Sequence, residues 1–383
     1  MKLAFQLAYK NLIGAGLRTW LNVAVLAFSF LIILFFNGIL DGWNQQAKKD
    51  SIAWEYGHGH LVNDAYDPYD PFSIQDGHGK LAAEQNLSPI LIRQASIYPE
   101  GRMLSVALKG IDVEQKTLEI PSTKLKNSAA DFPVIIGERM AETAKLKKGD
   151  EVSLRWRDKN GTFDAASITI VEVFKTDLSS VDNGQLWIDI ERLWEMTDLE
   201  NHATLFVANE DYEAQNVEGW TFKSQEDLLQ TITKIIASKK ASTNGIYFLL
   251  LGIALLAIFD TQVLSVFRRQ REIGTYVALG MMRQQVVGLF TVEGSMYSLF
   301  AMFLGVLIGI PLLFYLQKTG MAIPAASQDM GVALAERIFP VFGLKLVVST
   351  ILLVVISATV VSFLPARKIA KMNPVDALKG KLQ

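Results

Sequence analysis

The chain lacks cysteine entirely and has only four histidines in 383 residues. No disulfide framework and no thiolate metal site can therefore form. It has no G-x-x-x-x-G-K-[S/T] loop to cradle phosphates, so any nucleoside triphosphate chemistry would belong to another polypeptide. Neither a G-x-S-x-G elbow nor an H-E-x-x-H pair is present, and no catalytic constellation takes their place. His58-Gly59-His60 would set two imidazoles on one side of a strand, but without a third ligand the pair reads as incidental. Acid is also scarce in three short segments. Met1–Thr19, Arg268–Gln285 and Pro365–Gln383 hold twelve lysines and arginines against Glu272 and Asp376 alone.

What is present is long apolar runs. Hydrophobic residues make up 50% of the chain and the mean hydropathy is +0.24. Four spans, Trp20–Leu40, Gly245–Phe267, Val286–Leu316 and Val341–Leu364, each reach the ~20 residues that a helix needs to cross ~30 Å of hydrocarbon. The first lacks a small-x-small site near Asn37–Asp41 and reads as an uncleaved anchor. Positive charge in short loops stays cytoplasmic, which puts both termini and the 268–285 loop inside. Asp41–Asn244 is then outside, with 33 acidic against 22 basic residues. The expected class is an α-helical membrane protein with four transmembrane helices, one plus three, and a large α+β extracytoplasmic domain between the first two. In order, the expected regions are an amphipathic helix at 1–19, a span at 20–40, the external domain at 41–244 and a span at 245–267. A cytoplasmic helix at 268–285 follows, then a span at 286–316, an external loop at 317–340, a span at 341–364 and a cytoplasmic helix at 365–383.

Within the external domain, β-type runs stand at Leu104–Leu108, Val134–Ile136, Glu151–Trp156, Ser167–Phe174 and Gln185–Ile188. Helix-like stretches stand at Glu138–Leu146 and Ile190–Thr197, and Lys147-Lys148-Gly149-Asp150 reads as a turn. Ser224–Lys240 has helical apolar spacing and reads as a stalk toward the second span.

The most informative segment is Arg271–Gly280, polar and fixed between two spans. Helical spacing places Ile273, Tyr276, Val277 and Gly280 on one broad face, with Arg271, Glu272 and Thr275 beside it, suited to a partner's cleft or to the membrane surface. Ala301, Gly305 and Gly309 recur every four residues in the third span and admit close helix approach, within the chain or between copies. Asp260 and Glu293 are intramembrane acidic candidates, for which pairing is favoured over a proton relay.

Several motifs together resemble the FtsX/MacB/lipoprotein-releasing superfamily of ABC transporter permeases. Leu7-Ala8-Tyr9-Lys10-Asn11-Leu12 with Leu17-Arg18-Thr19 is similar to its amino-terminal signature. Arg271–Gly280 matches its R-E-I-G-x-x-x-A-L-G coupling segment, and Glu293-Gly294 the opening of its third span. Pro365–Lys371 with Pro374-Val375-Asp376-Ala377-Leu378 resembles its carboxyl-terminal signature. Gly57–Leu61, Ala107–Gln115 and Val134–Val152 lean toward the lipoprotein-releasing (LolC/LolE-like) permeases.

The resemblance implies a non-catalytic permease in an inner membrane facing a periplasm. A dimer of cytoplasmic ATPases carries ATP and Mg²⁺, so no cofactor is expected on this chain. A second permease copy or a paralogue pairs with it, among membrane lipids and without nucleic acid. Arg271, Glu272, Ile273, Gly274, Tyr276, Leu279 and Gly280 become the ATPase-coupling residues. Cargo would be a lipoprotein or another lipid-bearing molecule. The alternatives are export of peptides or antibiotics with a periplasmic adaptor, as in MacB-like permeases, or FtsX-like activation of a cell-wall hydrolase.

Overall fold

A computed structural model describes residues 16–81, 86–322 and 337–371. The elements in order are α1 (Leu17–Ser51), a π-type turn, β1 (Gly59–Asn63), β2 (Gly79–Lys80), β3 (Leu87–Ile97), β4 (Leu104–Ile111), α2 (Thr123–Lys126), β5 (Pro133–Gly137) and α3 (Glu138–Ala144). Then follow β6 (Glu151–Arg157), β7 (Phe163–Phe174), α4 (Ser179–Asp182), β8 (Gln185–Asp189), α5 (Ile190–Thr197), β9 (His202–Ala203), β10 (Leu205–Ala208) and β11 (Trp220–Ser224). The long helices α6 (Gln225–Arg268), α8 (Arg283–Thr319) and α9 (Leu344–Ala366) come last, with α7 (Gln270–Ala278) between the first two. The chain forms two compact units, one of Met1–Trp43, Ile236–Met321 and Phe339–Gln383, the other of Asn44–Ile235 and Ala322–Ile338.

In the α/β unit nine strands make one mixed sheet, ordered β11-β1-β10-β3-β4-β8-β5-β7-β6. The pairs β4–β8 and β5–β7 are parallel and the rest antiparallel. The last strand pairs back onto β3, from Ala95 opposite Trp156 to Ile97 opposite Leu154. Six strands thereby close into a ring, filled by aliphatic side chains such as Leu108, Ile136, Leu154, Ile170 and Ile188 and closed over by Met140 of α3 and Leu193 of α5. β6 shows why: Val152, Leu154 and Trp156 point inward while Arg155 and Arg157 point out. Gly149, at φ +93°, makes the turn into β6 and donates its N–H to the Ile170 carbonyl at 2.7 Å.

In the membrane unit, α1, α6, α8 and α9 are long and apolar enough to cross a bilayer. α1 contains the 20–40 span, α6 the 245–267 span and α8 the 286–316 span, while α9 covers most of 341–364. The stalk expected at 224–240 is continuous with the second span as the single 44-residue α6, about 66 Å at 1.5 Å per residue. Leu26 and Phe30 of α1, Leu251 and Ile258 of α6, Ala301 of α8 and Val354 and Ala358 of α9 share one core. Asn22 Nδ2 donates to Thr261 Oγ1 at 2.5 Å, a polar link between α1 and α6. Residues 1–15 and 372–383 lie outside the described residues, and with them most of the two expected terminal helices; 323–336 of the external loop lie outside too.

Candidate coupling site

The chain breaks from α6 into α7 at Arg269, whose backbone (φ −104°, ψ 21°) leaves the helical region. Its side chain fixes the break. Nη1 donates to both carboxylate oxygens of Glu293 in α8, at 3.0 and 2.8 Å, while Nε donates to Glu272 at 2.7 Å. The guanidinium also lies over the Phe290 ring, 4.8 Å from its centroid. Burial opposes the charge on Arg269, but Glu293 and Glu272 outweigh it and hold its pKa above the ordinary arginine value. Arg269 thus ties the start of α7 to both α7 and α8. Sequence reasoning did not single it out; the signal was Glu293 itself, a carboxylate in an apolar helix that needs a cation within reach.

The other end of α7 is closed by Gly280 at φ +96°, with the Met281 N–H on the Tyr276 carbonyl at 3.0 Å and the Gly280 N–H on that of Val277 at 3.1 Å. Met282 and Gln285 then cap α8, the Met282 N–H donating to Gln285 Oε1 at 3.1 Å.

Between these fixed ends, α7 divides its predicted residues. Ile273 is fully buried among Val266, Val286, Phe290, Ala366 and Ile369, with Tyr276 and Val277 half-buried against that cluster. Gly274 is buried as well. Arg271, Glu272, Thr275, Ala278, Leu279 and Gly280 are exposed, Leu279 at 82%. Of the face expected from helical spacing, Ile273, Tyr276 and Val277 pack inward and Gly280 does not, and the exposed surface lies on the opposite side, around Arg271, Thr275 and Leu279. Apolar periodicity finds a buried face without saying what buries it.

The remaining candidates separate. Glu293 is buried in its bidentate pair, while Asp260 sits on the exposed face of α6. Ala301, Gly305 and Gly309 are all buried, and the two glycines face α1: a Cβ on Gly305 would meet the Phe30 ring at 2.9 Å, and one on Gly309 the Leu31 side chain at 2.3 Å. The glycine ladder is thus occupied within the chain. His60 is buried and donates Nε2–H to the Glu55 carbonyl at 2.9 Å, whereas His58 is exposed beside Glu210. Among the described residues no group of three or more histidines, aspartates or glutamates is placed to hold a metal.

Fold and site define a polytopic membrane protein with a globular insertion and a short, anchored polar helix between two of its spans. Residues 244–374 match the family described as FtsX-like permease C-terminal. An uncharacterized ABC transporter permease of Methanocaldococcus jannaschii is 24% identical over 43% of this chain and 39% of its own length. The lipoprotein-releasing system transmembrane protein LolC of Neisseria meningitidis is 22% identical over 94% of each chain. A macrolide export ATP-binding/permease protein MacB of Aeromonas hydrophila is 27% identical over 42% of this chain, which spans only 22% of that relative's length. These matches support membership of the FtsX/MacB/LolC superfamily of ABC transporter permeases.

Proposed function

We propose that this chain is the membrane subunit of an ATP-driven complex, and that α7 is where a separate ATPase docks. The observation that carries the reading is the construction of α7: pinned by Arg269 to Glu293 and by Ile273 to the cores of α8 and α9, it would move as one body with them. Its exposed side offers Arg271, Glu272 and Leu279 to a partner. Force applied there would pass into the spans without being absorbed by a flexible loop. Ile273 and Gly274 act as positioning residues, and Tyr276 and Gly280 border the contact. The loop-charge asymmetry supports an orientation with α7 and both termini in the cytoplasm and the α/β domain in the periplasm. ATP and Mg²⁺ are bound by the partner, and a second permease copy or paralogue completes the complex.

For the cargo, we favour a lipoprotein or another lipid-bearing molecule extracted from the inner membrane, because similarity to LolC runs the length of both chains. Export of amphiphilic compounds is the second reading, supported by MacB relatives that match over the membrane half. Affinity purification from native membranes, with mass spectrometry of retained partners, tests both. An ATPase with acylated lipoproteins is expected. An ATPase with a periplasmic adaptor or a hydrolase would overturn the cargo alone. Failure to retain any ATPase, with Arg271→Glu and Leu279→Asp leaving growth unchanged, would overturn the docking assignment.

A further inference from the structure

The α/β unit exposes few large apolar side chains: among its described residues they are Tyr69, Phe72, Met103 and Phe163. Three of these four line a single cleft of about 400 Å³, and Tyr69 stands two residues from its rim at Pro71. Scattered exposed hydrophobics need no explanation, but their gathering around one concavity of this size is the pattern of a candidate ligand cleft.

The cleft is built to hold those side chains out. Phe72 is 87% exposed, yet its loop is tied: the Phe72 N–H donates to Asp70 Oδ1 at 3.0 Å, and the Ser73 hydroxyl shares its single O–H between the carbonyls of Asp67 and Asp70, at 2.8 and 2.7 Å. Arg93, almost fully buried, clamps the same loop by donating to the Ile74 and Gln75 carbonyls at 3.1 and 3.2 Å. On the facing wall, Arg157 pairs across the β6–β7 hairpin with Phe163. The guanidiniums of Arg155 and Arg157 both lie over the Phe163 ring, 3.7 and 4.3 Å from its centroid. Stacking of this kind orients the guanidinium and leaves its edge donors free for an oxyanion. No carboxylate lines the cleft, although its unit is strongly acidic.

We propose that this cleft binds a single-chain amphiphile with an anionic head, a phosphate or carboxylate, whose charge is taken by Arg155 and Arg157 and whose apolar chain lies against Phe72 and Met103. A bare anion would leave the apolar wall unused, and a neutral chain would leave two guanidiniums unpaired. Binding at this site needs no ATPase, so it stands or falls apart from the docking role of α7.

The test uses the full chain in phosphatidylcholine nanodiscs, with dodecyl phosphate carrying a diazirine in its chain as the probe and labelled peptides mapped by mass spectrometry. Labelling is expected on peptides holding Phe72 or Met103, displaced by unlabelled dodecyl phosphate but not by equal inorganic phosphate or dodecanol. Arg155→Gln with Arg157→Gln should weaken cleft labelling at least about ten-fold, as loss of charged hydrogen bonds requires, while labelling of the membrane helices is unchanged. Phe72→Ala, at a side chain that supports no core, should weaken it independently. Equal displacement by inorganic phosphate would reduce the site to an anion patch and overturn the proposal. So would equal displacement by dodecanol, indifference to the arginine pair, or label confined to the membrane helices. An acidic peptide displacing the label at a lower concentration than dodecyl phosphate would reassign the cleft to a protein partner.

Discussion

The two units solve the packing problem in opposite ways. In the α/β unit, apolar side chains alternate along strands and turn inward, so the ring of six strands closes over its own core and little greasy surface remains. In the membrane unit the outer faces of the helices are apolar as well, with residues such as Phe248, Leu256, Phe303 and Ile356 exposed. Hydrophobicity therefore cannot tell inside from outside there, and small residues and polar pairs do so instead. Gly294 brings α8 against Ser362 of α9 and Gln262 of α6, Gly305 and Gly309 bring it against α1, and Arg269–Glu293 locks the turn into α7. The membrane unit should thus be vulnerable at a few small or charged positions, and the α/β unit at its buried polar groups.

The sharpest way to break that contrast is Arg269→Gln. The Glu293 side chain is only 10% exposed, so removing Arg269 takes a doubly bonded cation from a buried carboxylate, at an expected cost of about 3 kcal/mol. Thermal unfolding of the purified full chain would show the loss. Arg269→Leu with Glu293→Leu should recover most of it, because an apolar pair carries no uncompensated charge. A double variant as unstable as the single one would mean that Arg269 acts through Glu272 instead.

The α/β unit offers a pH-dependent counterpart. Burial lowers the pKa of His60 from 6.5 to about 4, since the folded state holds the ring neutral. The unfolded chain takes up a proton first as pH falls, so the contribution is complete above pH 6.5 and is lost between about 6.5 and 4. A shift of that size corresponds to ~3 kcal/mol. Comparing denaturant unfolding of the wild type and His60→Gln across this range isolates the term, because glutamine can still donate to the Glu55 carbonyl without titrating. Parallel pH profiles for the two proteins would refute it.

Legibility in the sequence followed the same division. Strands β4 to β8 were readable from short β-branched and aromatic runs, but β3, the strand that joins the sheet to itself, was not. Its sequence contains Pro89, which argues against a central strand. The structure accommodates it because β4 begins to pair only at Ile90, so β10 alone runs past the proline. The spans were readable because twenty apolar residues admit few other structures. Which side of α7 stays exposed was not, because the burial of its other side depends on Phe290, Ala366 and Ile369, which come from α8 and from the chain at and just beyond the end of α9. The Arg155–Phe163–Arg157 stack needed the β6–β7 register, which no single segment specifies.

A smaller effect sharpens the comparison further. A Cβ on Gly294 would sit 2.3 Å from Ser362 Oγ and 2.4 Å from its Cβ, and Ser362 is fully buried. Gly294→Ala should therefore cost about 1–3 kcal/mol by overpacking. Its control is Gly252→Ala in α6, where nothing lies within 4 Å of the added carbon. Alanine there removes only the conformational entropy that glycine loses in a helix, a gain of roughly 0.5–1 kcal/mol. Opposite shifts in melting temperature would show that helix contact, rather than glycine content, sets stability in the membrane unit. A loss at Gly252 comparable to that at Gly294 would mean that its open face is covered by another chain in the protein measured.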